Sequence, residues 1–180
     1  MNAIGTNLKD AYLITNNKFG DERGFFMESF NLKEFRKIVT YDVEFVQDNH
    51  SFSYRNVLRG LHYQIEKPQG KLVRCIRGQV LDVSVDLRIN SATYGQVFYV
   101  ILSDKNKRSV YIPEGFAHGF IVQSDEAEFV YKVTDYYYKE GERCLVWNDK
   151  TLGIDWGISN PILSEKDASG LTWEQAPKFK

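Results

Sequence analysis

The 180-residue chain holds only two cysteines, Cys75 and Cys144, and three histidines, His50, His62 and His118. Two cysteines cannot build a disulfide framework or a Cys-rich zinc site. Three histidines leave little material for a metal centre, since zinc or non-haem iron normally takes three protein ligands. Charge of one sign is not in excess either: 23 Lys and Arg against 24 Asp and Glu leave a net charge of −1. That removes the basic surplus that drives sequence-independent nucleic-acid binding. No apolar stretch approaches the roughly 18 residues that span a bilayer, and the polar residues 1–12 do not resemble a signal peptide. Without repeats, low-complexity tracts or a Pro/Ser-rich linker, residues 1–180 read as one cytoplasmic domain with no membrane or nucleic-acid partner. The segment from about residue 168 onward reads as a loosely structured tail.

What the chain has in plenty is aromatic side chains, eleven Tyr and twelve Phe, and strand patterning. Over residues 80–87, Leu81, Val83, Val85 and Leu87 alternate with Asp82, Ser84 and Asp86, the period of two expected of a sheet with one wetter face. Apolar runs at residues 96–102, 110–112, 119–122 and 129–134 are separated by Asn, Asp, Gly and Pro clusters. Short strands about ten residues apart predict an all-β sandwich or barrel. Helix is sparse. Asn31 is placed to cap residues 32–38 with Glu34 as the reciprocal capping-box partner, and a short turn is expected at residues 164–167.

Several polar residues stand out against this background. In NVLRGLHYQ (residues 56–64), regular alternation puts Leu58, Gly60, His62 and Gln64 on one face and Arg59, Leu61 and Tyr63 on the other. His62 is then either a hydrogen-bonded core histidine or a reactive group with room made by Gly60. Lys71 opens the next apolar strand, as a solvated end or as a cation aimed into a site. In PEGFAHGF (residues 113–120), His118 sits in tightly constrained backbone, either as a turn histidine bonding a carbonyl or as a functional group. Tyr131 shares a strand face with Phe129 and Val133 and either packs or points into a barrel interior. The run of Tyr136, Tyr137 and Tyr138 after it exceeds what a core requires and suits a stacking platform for a base or sugar. The residues two after His62 and His118 are Gln64 and Phe120, so the paired-histidine spacing of metal-binding β-barrels is missing.

Eight blocks in order carry a resemblance: GDERGFFMESF (20–30), FVQDNHS (45–51), NVLRGLHYQ, GKLVRCIRGQVLDVSVDLR (70–88), PEGFAHGF, YKVTDYY (131–137), VWND (146–149) and LSEKD (163–167). Together the chain resembles the dTDP-4-dehydrorhamnose 3,5-epimerase family over nearly its whole length. The resemblance implies a cupin-type jelly roll with a few short helices, a homodimer formed by exchange of N-terminal strands, and neither metal nor organic cofactor. It implies inversion of C3 and C5 of dTDP-4-dehydro-6-deoxy-D-glucose to give dTDP-4-dehydro-L-rhamnose. A single-carbon epimerase of the same fold, or a non-catalytic sugar-nucleotide-binding module, are the alternatives.

The hydrogens on C3 and C5 both flank the C4 ketone, so removing either gives an enolate with its charge largely on the C4 oxygen. The resemblance makes His62 the base, Asp167 its carboxylate partner, Tyr131 the proton donor and Lys71 the cation facing that oxygen. Imidazole as a class ionises near neutrality and a phenol near pH 10, which suits the base and acid roles. The resemblance further assigns Arg23, Glu28, Gln47, Arg59, His118, Glu142 and Lys166 to nucleotide-sugar contacts. Tyr137 is the residue it stacks on thymine. Arg59 and His62 should diverge on a regular strand, so either a bulge near Gly60 or a reach into a neighbouring subunit's site is required. The chain departs from the family's pattern at Gly157, where proline is common, in lacking a proline after Asp167, and at Tyr63, where phenylalanine is frequent.

Overall fold

The computed structural model describes residues 1–39 and 41–180. Its first sheet contains β1 (Asn2–Gly5), β2 (Tyr12–Thr15), β5 (Gln47–Tyr54), β7 (Lys71–Arg77), β10 (Ser109–Ile112) and β12 (Glu126–Val133), in the order β1-β2-β10-β7-β12-β5. The second contains β6 (Leu58–Gln64), β8 (Gln79–Asp86), β9 (Val97–Ser103), β11 (Phe116–Val122) and β13 (Glu142–Cys144), in the order β13-β6-β11-β8-β9. A separate hairpin joins β3 (Lys18–Asp21) to β4 (Gly24–Met27). The two large sheets face each other as the jelly roll that the strand spacing and the resemblance led us to expect. Their shared interior holds Val73, Cys75, Val80, Leu102, Val110, Ile112, Phe116, Phe120 and Phe129, all buried.

The helices are shorter than expected. α1 spans Leu32–Phe35, with the Asn31 side chain accepting from the Glu34 backbone N–H. The capping box is not completed, because the Glu34 carboxylate pairs with Lys37 instead. Phe35 at the end of α1 sits under the outer face of the first sheet, beside Ile14, Val39, Val43, Leu72 and Tyr111. α2 spans Glu165–Ala168 and is capped by Ser164. Among the described residues no helix is long and apolar enough to cross a membrane.

Two expectations are corrected. The alternating face of β8 is not wet: Asp82, Ser84 and Asp86 are buried to within 1% of full cover. They point between the sheets, while Leu81, Val83, Val85 and Leu87 point outward against Leu145, Trp156 and the C-terminal residues. The C-terminal segment is not a loose tail. Leu171 bridges Leu145, Phe179 bridges Arg88, and Ala176 is buried against the outer face of the second sheet. An apolar sheet face must be covered by something, and here the chain's own end covers it.

A β-bulge sets the site. β11 pairs with β6 so that His118 faces His62, but Phe120 faces Arg59 and Ile121 faces Leu58. β6 therefore carries two residues, Gly60 and Leu61, opposite the single Gly119. The extra residue reverses the alternation: Leu58, Leu61 and Tyr63 pack outward, while Arg59 and His62 both turn inward. This is the bulge that Arg59 and His62 called for, supplied within one chain. The peptide between Gly60 and Leu61 is cis.

Glycine is obligatory where the two strands meet. Gly60 has φ +118°, and a Cβ there would lie 2.6 Å from Gly119 Cα and 2.7 Å from the His118 carbonyl. A Cβ on Gly119 would lie 2.7 Å from the Arg59 carbonyl and 3.2 Å from Gly60 Cα. Overpacking of this kind costs about 1–3 kcal/mol, so Gly119→Ala is expected to lower the urea midpoint by that equivalent. An unchanged midpoint would mean that the bulge yields freely.

Candidate active site

The bulged strand opens onto a cavity of about 300 Å³ between the sheets. Its walls come from both sides: Arg59, His62 and Gln64 from β6 and His118 from β11, facing Gln47, Asn49 and Ser51 from β5, Lys71 from β7 and Tyr131 from β12. Tyr137, Glu142 and Lys166 close its outer rim. Ten of the twelve residues named from sequence thus gather at this place, Asp167 standing directly behind His62. Arg23 and Glu28 do not. Arg23 lies on the exposed β3–β4 hairpin, bonded to Asp21, and Glu28 follows the hairpin and accepts from Asn31.

His62 Nε2 donates to Asp167 Oδ1 at 2.5 Å. The carboxylate is itself held by Ser164 Oγ on Oδ2 at 2.7 Å and by the Gly60 N–H on Oδ1 at 3.4 Å. Burial pushes the Asp167 carboxyl upward, but the hydrogen bonds from His62 and Ser164 outweigh it and hold the group below its usual range. Asp167 is therefore an anion whose oxygens can only accept, so Nε2 is the donor in this bond. A short helix presenting one carboxylate behind the ring fixes the tautomer, the usual service of such a partner.

The remaining polar groups are tightly packed. Lys71 is buried, and its Nζ donates across the interior to the His62 carbonyl at 3.2 Å. Burial lowers its ammonium to about 8, against the opposing pull of the Asp82 and Glu142 carboxylates. His118 is a strand residue, not a turn residue, and its Nε2 bonds Asp82 Oδ2 at 2.8 Å. Burial pushes His118 down, while Asp82 pulls it up without offsetting the burial. Asp82 Oδ1 and Ser84 Oγ are buried without partners, a cost that a purely structural interior avoids. Tyr131 is raised chiefly by burial, with Glu142 adding to that and Arg59 and Lys166 opposing it, so its phenol is a protonated donor.

At the rim, Glu142 joins two neighbours: Lys166 Nζ donates to it at 2.8 Å and the Tyr137 hydroxyl at 3.1 Å. The Tyr137 ring itself is 55% exposed, open to a stacking partner. Arg59 Nε is braced on Ser53 Oγ at 2.9 Å. The Gln47 side-chain Oε1 accepts from the Tyr137 backbone N–H.

Sequence reasoning missed three parts of this arrangement. Asp82 hides in the polar set of β8, and its partnership with His118 needs the β8–β11 pairing. Asn49 and Ser51 share the inward period-two face of β5 with Gln47, a signal present in the sequence but not read. The third part is Cys144, whose Sγ groups with the His62 and Asp167 donor atoms within 4.8 Å of one another. These atoms are already spent on each other: Asp167 binds His62 and Ser164, and burial pushes the Cys144 thiol up to about 12. The donor set fits a proton better than a metal ion.

The family model described as dTDP-4-dehydrorhamnose 3,5-epimerase matches residues 5–175. The chain is 56% identical to the dTDP-4-dehydrorhamnose 3,5-epimerase of Shigella flexneri over 99% of both chains. It is similar to the crystal structure of a dTDP-6-deoxy-D-glucose-3,5-epimerase from Legionella pneumophila in complex with dTDP-4-keto-L-rhamnose. That likeness has a TM-score of 0.92 and 46% identity, over 99% of this chain and 98% of the other. A 3′-monoepimerase from Streptomyces bikiniensis in complex with dTDP-quinovose matches at TM-score 0.89 and 32% identity, over 94% and 87%.

The buried lysine yields a test with a definite sign. Its folded-state value of about 8 lies below the usual 10.5, so between the two the unfolded chain holds a proton that the folded one has released. Stability from this group therefore rises with pH across that window, and the ammonium is a burden below it. Lys71→Met is expected to raise the melting temperature at neutral pH and to flatten this rise relative to wild type. Parallel stability–pH curves for the two proteins would contradict a buried ammonium.

Proposed function

The chain belongs to the dTDP-4-dehydrorhamnose 3,5-epimerase family, and we propose that its cavity converts dTDP-4-dehydro-6-deoxy-D-glucose into dTDP-4-dehydro-L-rhamnose through an enolate. The observation that carries this reading is the division of labour between the sheets. His62 comes from the second sheet and Tyr131 from the first, and both line one cavity. A sugar ring lying between the sheets meets a base on one face and an acid on the other, as inversion at a carbon requires.

His62 Nδ1 takes the proton from the carbon beside the ketone, and Asp167 stabilises the imidazolium that forms. Charge moves to the C4 oxygen, where the Lys71 ammonium stabilises it in a water-poor interior. Tyr131 returns a proton to the opposite face. The same enolate logic applies to C3 and to C5, because both flank the one carbonyl. The buried His118–Asp82 pair holds the sugar side of the pocket. Arg59 and Lys166 supply charge for the diphosphate, with Glu142 orienting Lys166 until the nucleotide arrives. Tyr137 stacks on the base.

Arg23 and Glu28 find their use in a homodimer. The hairpin that carries Arg23 exposes Phe19, Phe25 and Phe26, more apolar ring surface than a two-stranded ribbon keeps in water. We assign it to a second copy of the chain, where Arg23 and Glu28 complete that copy's nucleotide contacts. The two free thiols suit the reducing conditions of the cytoplasm.

Incubation with dTDP-4-dehydro-6-deoxy-D-glucose, with the product's ring stereochemistry read by NMR coupling constants, tests the proposal. Wild-type protein is expected to give the L-rhamno product, His62→Ala none, and Tyr131→Phe a rate lower by about 10²–10⁴-fold. All three should keep the same circular dichroism. Full activity in His62→Ala would remove the base assignment, and a product inverted at C3 alone would place the chain with single-carbon epimerases.

A further inference from the structure

We infer that the C-terminal segment from Gly170 to Phe179 is a positioning element for catalysis, setting Asp167 against His62, with Gly170 and Tyr63 as its fixing points. The inference rests on the proton-transfer reading of His62 given above. Asp167 rides on α2, a single turn of four residues, and a helix that short has almost no stability of its own. Something else must hold the carboxylate 2.5 Å from the ring.

The turn hangs between two strands of the second sheet. On its N-terminal side, the Leu58 N–H donates to the Ile162 carbonyl at 3.0 Å and the Ile162 N–H to Asn56 at 2.8 Å. On its C-terminal side, the Leu171 N–H donates to the Cys144 carbonyl at 2.8 Å and the Val146 N–H to Leu171 at 2.9 Å. One foot stands on the start of β6, the strand of His62. The other stands on β13, whose Cys144 pairs directly with His62. The carboxylate's distance from the imidazole is thus set by where the second foot lands.

Gly170 decides that landing. A Cβ at this position would lie 2.6 Å from the Val146 N and 2.7 Å from the Leu145 carbonyl carbon. Both are backbone atoms just past β13, in a stretch held by the Leu61–Leu145 and Val146–Leu171 hydrogen bonds, and cannot rotate away, so any side chain pushes the foot off its landing. Beyond it the segment is strapped down. The Trp173 N–H donates to Asp149 Oδ2 at 2.8 Å, and Phe179 exchanges backbone hydrogen bonds with Leu87 and Ile89 at 3.1 and 2.8 Å. Tyr63, the residue after His62, donates its hydroxyl to the Pro177 carbonyl at 2.9 Å. A phenylalanine there could not make this bond. The strand that bears the base on its inner face therefore grips, through its outer face, the segment that places the base's partner.

The test compares Gly170→Ala and Tyr63→Phe with Val39→Ala, a core truncation just after α1 in the cluster against the first sheet, which controls for lost stability alone. Two readouts are used: kcat and KM on the 4-keto sugar nucleotide, and the downfield ring N–H resonance of His62 in ¹⁵N-histidine-labelled protein without ligand. Gly170→Ala is expected to lose about a hundredfold in kcat, the scale of a misplacement near 1 Å, with KM within about twofold and the resonance shifted upfield or lost. Tyr63→Phe should move both readouts the same way, with a loss of about fivefold in kcat. Val39→Ala should lower the melting temperature and leave both readouts in place. If Gly170→Ala loses stability but keeps kcat and the resonance, the segment is a structural cover only and the inference fails. If wild type shows the resonance, Gly170→Ala loses it, and neither turns over the sugar nucleotide, positioning stands and the assigned reaction is wrong.

Discussion

Gly60 and Gly119 meet across β6 and β11 at a separation that leaves no room for a Cβ unless the backbone shifts, and the extra residue on β6 at that point arranges the rest of the molecule. It turns Arg59 and His62 to the same side, so a guanidinium and an imidazole from one strand line one cavity without clashing with the core. It also sends Leu58, Leu61 and Tyr63 outward together. That makes an apolar outer face which the C-terminal segment must cover, and the covering segment brings Asp167 behind His62. One irregular pairing therefore links the core, the site and the chain terminus.

The interior is costly in a way that fits proton transfer. Lys71, His118, Asp82 and Asp167 are all buried within one small volume, where desolvation works against every charge. Pairing offsets part of this: Asp167 with His62 and Ser164, Asp82 with His118, Glu142 with Lys166. Lys71 has a carbonyl as its hydrogen-bond partner and two carboxylates farther away. An ammonium left so little compensated is poorly placed for stability and well placed for a negative charge that appears only during reaction.

Much of the architecture was legible in the sequence. β-branched and aromatic runs marked the strands, Asn31 and Ser164 marked the helix starts, and the ordered blocks predicted the jelly roll. What escaped did so for identifiable reasons. The Asp82–Ser84–Asp86 face looked wet because alternation reports polarity, not solvent, and a polar cavity inside a sandwich reverses the inference. Regular alternation separated Arg59 from His62 because a bulge leaves no mark in the period itself; only the glycines hinted at it. The terminal segment looked loose because its hydrophobic residues are spaced to fit another element's face. Asp167 could be tied to His62 only through family likeness, since 105 residues separate them and no local pattern spans that distance. The placement of Arg23 and Glu28 away from the cavity was likewise invisible in one chain's sequence.

In the proposed reaction one enolate-forming site, with its base and acid on opposing sheets, works both carbons beside the ketone. Running the wild-type protein on dTDP-4-dehydro-6-deoxy-D-glucose in D₂O and locating the label by NMR tests it most directly. Solvent deuterium is expected at both C3 and C5 of the product. Label at a single carbon, or at neither, would contradict it.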